Sequence, residues 1–218
     1  MLRTVSIVPT ILSDNRQDYR AQAEKINAFT RRVQIDVTDG KFAPATTLDI
    51  TNVWWPKNWE ADLHFMATNP SESLETILKL QPSLCILHAE ANEDLLPTFA
   101  KLKEAGIRVG VALLRQTYPG NVKKYIDEAD HVLIFAGELG KQGSAPDLMQ
   151  MEKIALVRNM KPDVEIGWDG GANMSNVRAL AHADLDVINV GSVISQADNA
   201  EETFKALVAE IDKNGVVL

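Results

Sequence analysis

Short apolar runs alternate with amphipathic stretches from one end of the chain to the other. Residues 4–9, 60–66, 83–88, 107–113, 131–135, 164–168 and 187–190 are β-rich and read as strands. Between them apolar residues recur at helical spacing, as with Tyr19, Ala23, Ile26 and Phe29 in the segment 17–29, which places them on one helix face. The same pattern predicts helices over 70–80, 93–105, 121–128, 148–160, 175–183 and 200–213. Pro70 suits a first helical turn and Gly106 a helix stop. Residues 107–113 are apolar apart from Arg108, as a strand covered on both faces requires.

One strand departs from this plan. In Val33-Gln34-Ile35-Asp36-Val37-Thr38-Asp39-Gly40 the β-branched residues share one face, while Gln34, Asp36 and Thr38 share the other. Asp39-Gly40 serves a tight turn equally well. An irregular stretch follows over residues 41–56. The sum is about eight strands and eight helices in strict alternation, which argues parallel βαβ units. A closed (β/α)8 TIM barrel fits better than an open doubly wound sheet, because no Gly-x-Gly-x-x-Gly follows the first strand. The expectation is one barrel domain over residues 1–218, with Trp54, Trp55 and Trp59 packed at the barrel rim rather than forming a cofactor box.

Composition narrows the function. The 218 residues are 45% hydrophobic, enough for one large core, and 22 Lys plus Arg face 30 Asp plus Glu for a formal charge of -8. That balance excludes nucleic acid and anionic membranes as expected partners, since both need a basic patch. The single cysteine, Cys85, lies in an apolar run, so it reads as an inert core thiol in a chain without internal disulfides. No signal-peptide anatomy or membrane-length apolar run is present, and a reducing, cytoplasmic setting is expected.

The candidate chemistry lies at strand ends. In a barrel of this kind catalysis occupies the carboxyl ends of the strands. Asp36, His64 and Asp169 end strands two, three and seven, and Gly170, Gly171, Gly191 and Ser192 follow strands seven and eight. Taken singly, these are turn residues, a helix start and a core histidine. Taken jointly they predict a phosphate cradle of backbone amides beside two carboxylates and an imidazole. Asp36 and Asp169, three strands apart, would face each other across the mouth. Carboxylates on opposite faces of a ligand suit removal of a proton α to a carbonyl and its return to the other face. The intermediate, an enediolate, needs an electrophile, and a metal on Asp36, His64 and Asp169 would serve.

At this point the chain resembles the ribulose-phosphate 3-epimerase family over nearly its whole length. The resemblance rests on Ile7-Val8-Pro9-Thr10-Ile11-Leu12-Ser13, Asp36-Val37-Thr38-Asp39-Gly40-Lys41-Phe42-Ala43-Pro44, Asp62-Leu63-His64-Phe65-Met66 and His88-Ala89-Glu90. Gly110-Val111-Ala112-Leu113, Thr117-Tyr118-Pro119, Asp169-Gly170-Gly171 and Val190-Gly191-Ser192 continue it in order. It implies a ribulose-phosphate-binding type of barrel, acting on a sugar phosphate with a divalent metal (zinc, manganese, magnesium or iron), cytoplasmic and homo-oligomeric. By the same resemblance Asp36 and Asp169 are the acid/base pair. Gln34, Asp36, His64 and Asp169 are the metal set. Thr10, His64, Gly140, Gly143, Gly170, Gly171, Gly191 and Ser192 are the substrate and phosphate contacts.

This chain also departs from the family pattern. Gln34 stands where a ligand histidine belongs, Thr38 and Phe135 replace methionines, and Thr10 replaces a serine. The lid after strand six becomes Gly137-Glu138-Leu139-Gly140-Lys141-Gln142-Gly143. Gln34 offers an amide oxygen, which suits zinc less than an imidazole does. The run Asp62-Leu63-His64-Phe65-Met66-Ala67 lacks the lysine and second aspartate of related barrel lyases. Alongside the pentulose 3-epimerase, two alternatives follow: an isomerase or epimerase of another, six-carbon sugar phosphate, and a phosphosugar-binding barrel without a metal or catalysis.

Overall fold

In a computed structural model that describes residues 4–44, 46–139 and 143–213, the strands close into a barrel in sequence order, each parallel to its neighbours. They are β1 (Ser6–Ile11), β2 (Arg32–Thr38), β3 (Glu60–Met66), β4 (Leu84–His88), β5 (Arg108–Leu113), β6 (His131–Phe135), β7 (Glu165–Asp169) and β8 (Val187–Val190). Around them run α1 (Arg16–Asn27), α2 (Leu74–Leu80), α3 (Leu96–Glu104), α4 (Lys123–Glu128), α5 (Glu152–Met160), α6 (Val177–Ala181), the short α7 (Ser192–Ser195) and α8 (Ala200–Ile211).

The alternation is less strict than the sequence pattern predicts. Between β2 and β3 there is only a 3₁₀ turn at Ile50–Asn52, capped by Asp49, while β8 is followed by two helices. Three of the predicted helices open as 3₁₀ turns, at Pro70–Ser73, Pro119–Val122 and Leu148–Met151. Two of these begin with proline, which has no N–H for the first helical bonds. α3 starts at Leu96, three residues later than its periodicity suggests, and Gly106 ends it at φ +78. Asn15 and Asn199 cap α1 and α8 by accepting from Asp18 N and Glu202 N. Of the three tryptophans expected at the barrel rim, Trp59 is buried and donates to Asn27 Oδ1 at 2.8 Å, whereas Trp54 is 42% exposed. Cys85 is buried in β4. Among the described residues no helix is long and apolar enough to cross a membrane.

Strand alternation splits the apolar residues into two cores. Val33, Ile35 and Val37 join the large layer between strands and helices, and Leu84, Ile86, Ala112 and Leu133 form a separate cluster that fills the barrel lumen. The lumen's amino-terminal end is closed by charge. Arg32 donates from Nε to Asp62 Oδ2 and from both terminal nitrogens to Glu165, each at 2.8 Å. His131 Nδ1 lies 2.8 Å from Glu165 Oε2. Gly167 makes room for that imidazole: a Cβ there would sit 2.6 Å from His131 Nε2. Burial works against the charge on Glu165, yet Arg32 and His131 hold its carboxyl far below the usual carboxylate range.

Removing Arg32 would leave Asp62 in a desolvated site without its cation, and Glu165 with only His131 and the more exposed Arg108 at 3.1 Å. Arg32→Met should therefore lower stability by about 3 kcal/mol or more, read as a lower urea midpoint. A midpoint within error of wild type would show that the closure adds nothing.

Candidate active site

The register of the sheet brings the polar side chains to one level at the carboxyl end of the barrel. Thr10 pairs with Gln34, Asp36 with His64, and Phe135 with Asp169. Asp36, His64 and Asp169 each offer an atom of ligand type, and these atoms lie within 4.8 Å of one another. His64 Nδ1 is 2.9 Å from Asp36 Oδ1 and 3.6 Å from Asp169 Oδ2. Gln34 ties the carboxylates together: its Nε2 donates to Asp36 Oδ1 at 2.8 Å and to Asp169 Oδ2 at 2.6 Å. Its Oε1 is buried without a hydrogen-bond partner among the described residues.

Burial raises the Asp169 carboxyl, the neighbouring Asp36 charge raises it further, and together they push it up to about 6. Burial opposes the charged form of His64, but the hydrogen bond to Asp36 and the fields of both aspartates outweigh it and raise its pKa. Behind His64, His88 Nε2 is 2.9 Å from His64 Nε2, so one nitrogen must donate and the other accept. Burial pushes His88 down to about 4, which makes it the neutral acceptor. Its own proton then belongs on Nδ1, 3.4 Å from Glu90 Oε2. Glu90 is anchored by the Thr117 hydroxyl and, at 2.9 Å, the Leu114 amide. This chain sets His64 in one orientation with Nδ1 toward the carboxylates.

A divalent ion fits this donor set. Two carboxylates and an imidazole nitrogen already converge. Turning the Gln34 amide end for end would bring Oε1 into the gap between the carboxylates as a further ligand atom, at the cost of the two Nε2 hydrogen bonds to Asp36 and Asp169. In this structure Gln34 serves the carboxylates as a donor rather than offering its oxygen.

Most of the anticipated residues share one cleft open to solvent. Thr10, Asp36, His64 and Asp169 line it, as do Gly143, Gly170, Gly171, Gly191 and Ser192. Gln34 lies beneath, fully buried. Gly140 falls outside the described residues. Gly170 and Gly171 have φ of +113 and +67, and a Cβ on Gly170 would lie 2.0 Å from Gly137 N. Only glycine lets the loops after β6 and β7 cross so closely. Sequence reasoning left out two polar residues of this region, His88 and Asn189. The signal was available in both: each interrupts or ends an apolar strand, Leu84–His88 and Val187–Val190. Phe135, singled out as a departure, rests against the rings of His64 and His88 at 6.1 and 6.0 Å.

A closed parallel barrel with a polar cleft at its carboxyl end defines a (β/α)8 barrel protein. Residues 6–195 match the Ribulose-phosphate 3 epimerase family, and the chain belongs to that family of isomerases. It is 26% identical over 208 residues to ribulose-phosphate 3-epimerase of Schizosaccharomyces pombe, covering 92% of this chain and 91% of the relative. It is 28% identical over 214 residues to the cytoplasmic isoform from Oryza sativa subsp. japonica, covering 94% of each. Among solved structures, orotidine 5'-phosphate decarboxylase from Pyrococcus horikoshii OT3 superposes with a TM-score of 0.66 at 15% identity, over 96% of this chain and 100% of that one. That likeness concerns the fold.

The Asp169 carboxyl has a consequence for stability. Its folded pKa of about 6 exceeds its ordinary value of 3.8, so between those values the folded state binds more protons than the unfolded one. Stability therefore falls as pH rises through that window. Asp169→Asn keeps an acceptor for Gln34 and removes the charge. In metal-free protein the variant should be more stable than wild type at pH 7.5, by up to about 2–3 kcal/mol, with the gap closing toward pH 4. Denaturant unfolding across pH checks this, and a difference that does not vary with pH would contradict it.

Proposed function

We propose that this protein is a ketose-phosphate 3-epimerase that interconverts D-ribulose 5-phosphate and D-xylulose 5-phosphate. The observation that carries the reading is the convergence of Asp36 from β2 and Asp169 from β7 on one cleft, with His64 between them. One aspartate takes the C3 proton, leaving a planar enediolate carbon. The other delivers a proton to the opposite face, and the roles exchange in the reverse direction. The Gln34 amide holds the two carboxylates in register. Thr10, Ser192 and the loops carrying Gly143, Gly170, Gly171 and Gly191 bind the substrate, with the phosphate on the glycine loops. No lysine or arginine is among the described residues lining the cleft, so backbone amides and hydroxyls would hold the anion.

Asp36, His64 and Asp169 would hold a divalent ion, joined by the Gln34 oxygen only if that amide turns and gives up its bonds to the carboxylates, and the ion would stabilise negative charge developing on the substrate's carbonyl oxygen. With an amide in place of an imidazole the set is mostly oxygen, which suits magnesium, manganese or iron ahead of zinc. A binding barrel without chemistry would have no use for two facing carboxylates, one of them raised by burial and by the charge of the other. The cytoplasmic name of the rice relative supports a cytoplasmic setting here. Leu148, Met149 and Met174, all exposed, are apolar side chains that a homo-oligomer contact would cover.

The test is epimerisation of ribulose 5-phosphate by purified protein supplied with manganese, followed through a xylulose 5-phosphate-dependent coupling reaction. Asp36→Asn and Asp169→Asn should each lose at least about 100-fold in kcat, because each face of the carbon needs its own proton carrier. Wild-type turnover in either variant would refute the two-carboxylate reading.

A further inference from the structure

Asn189 is an unusual residue for its place. It is 3% exposed in the middle of β8, and neither its Nδ2 nor its Oδ1 has a hydrogen-bond partner among the described residues. Its neighbours Ile188 and Val190 belong to the outer core, so alternation turns Asn189 into the barrel. There it lines the cleft with Asp36, His64 and Asp169. Asparagine is depleted in strands, and burying an unpaired amide destabilises a fold. Val187, on the same strand face, fills the lumen with hydrocarbon. The fold thus gains nothing from this amide, and the partner it lacks within the protein is one a ligand can supply.

We propose that Asn189 is a specificity-determining residue that hydrogen-bonds the hydroxyl on the carbon between the phosphate-bearing carbon and the reacting carbon of a ketose phosphate. In a pentulose 5-phosphate that carbon is C4. The inference rests on the function proposed above and names the substrate feature its site reads. Gly191, at the phosphate end, lies two positions beyond Asn189, a rise of about 6.6 Å along an extended chain. The aspartates flank the reacting carbon, so a side chain from this level of β8 meets the substrate between its phosphate and C3. An amide offers both a donor and an acceptor to one hydroxyl. A site built around such a bond discriminates against a ligand lacking the hydroxyl, because its own polar group is then left unpaired.

The experiment compares wild type and Asn189→Leu, a near-isosteric change, with ribulose 5-phosphate and its 4-deoxy analogue. The variant should lose about 10- to 100-fold in kcat/KM for ribulose 5-phosphate and turn over the 4-deoxy analogue as well as wild type does. Without ligand it should melt higher, by roughly 2–4 °C, because an unpaired buried amide is gone. Inorganic phosphate should raise the melting temperature of both proteins equally. A variant that melts lower and loses both substrates alike would mark Asn189 as structural and overturn the proposal, as would unchanged discrimination. If wild type binds but does not epimerise ribulose 5-phosphate, the proposed function fails. The thermal shifts given by the two sugar phosphates then decide this inference separately: only wild type should favour the hydroxylated compound, and equal preference in the variant would overturn it.

Discussion

The Gln34 amide, set between the carboxylates of Asp36 and Asp169, is the contact on which the site depends. Two carboxylates brought this close in a partly buried cleft repel each other. The –NH₂ group has two protons, and each finds one carboxylate, at 2.8 and 2.6 Å. It spreads partial positive charge over both without neutralising either. A lysine there would pair with one aspartate and quench it. An apolar residue would leave the repulsion unrelieved. The amide leaves the pair close, aligned and still able to exchange protons.

β7 carries the same problem twice and solves it in opposite ways. At its start Glu165 meets Arg32 and His131, which hold its carboxyl far below the usual range. At its end Asp169 meets Asp36, and its carboxyl is pushed up to about 6. The strand is five residues long, so the contrast comes from partners rather than from depth alone. Full pairing at the amino-terminal end fixes a charge and closes the lumen. Incomplete compensation at the carboxyl end keeps a proton mobile near neutrality, which is what acid/base work requires. Gly167 between them gives up its side chain to the His131 ring, so one strand serves both ends.

Much of this was legible in the chain. The β2 alternation of Val33, Ile35 and Val37 against Gln34 and Asp36 follows directly from strand geometry, and the closed barrel follows from repeated βαβ patterning. The two-residue period also fixes which side chains face the cleft. Where the reading fell short, the cause was physical. The opening turns at Pro119 and Leu148 are 3₁₀ rather than α, a difference that periodicity does not encode, and the first begins two residues before the expected helix. The direction of the Gln34 amide, donor toward the carboxylates, is set by register across β2 and β7 and has no sequence signature. Gly170 read as a phosphate-loop glycine, yet it is also required where its backbone crosses Gly137. His88 and Asn189 were visible as polar residues in apolar strands but gain meaning only from their partners: His64 for one, none for the other.

The central claim is that two separate carboxylates serve opposite faces of one carbon. Its most direct measurement is a single turnover of ribulose 5-phosphate in D₂O, with C3 of the product examined by NMR. Two carriers predict that xylulose 5-phosphate carries solvent deuterium at C3, because the proton removed by one aspartate is not the one delivered by the other. Product that retains its original C3 proton would mean a single group carries it from face to face, and would contradict the account.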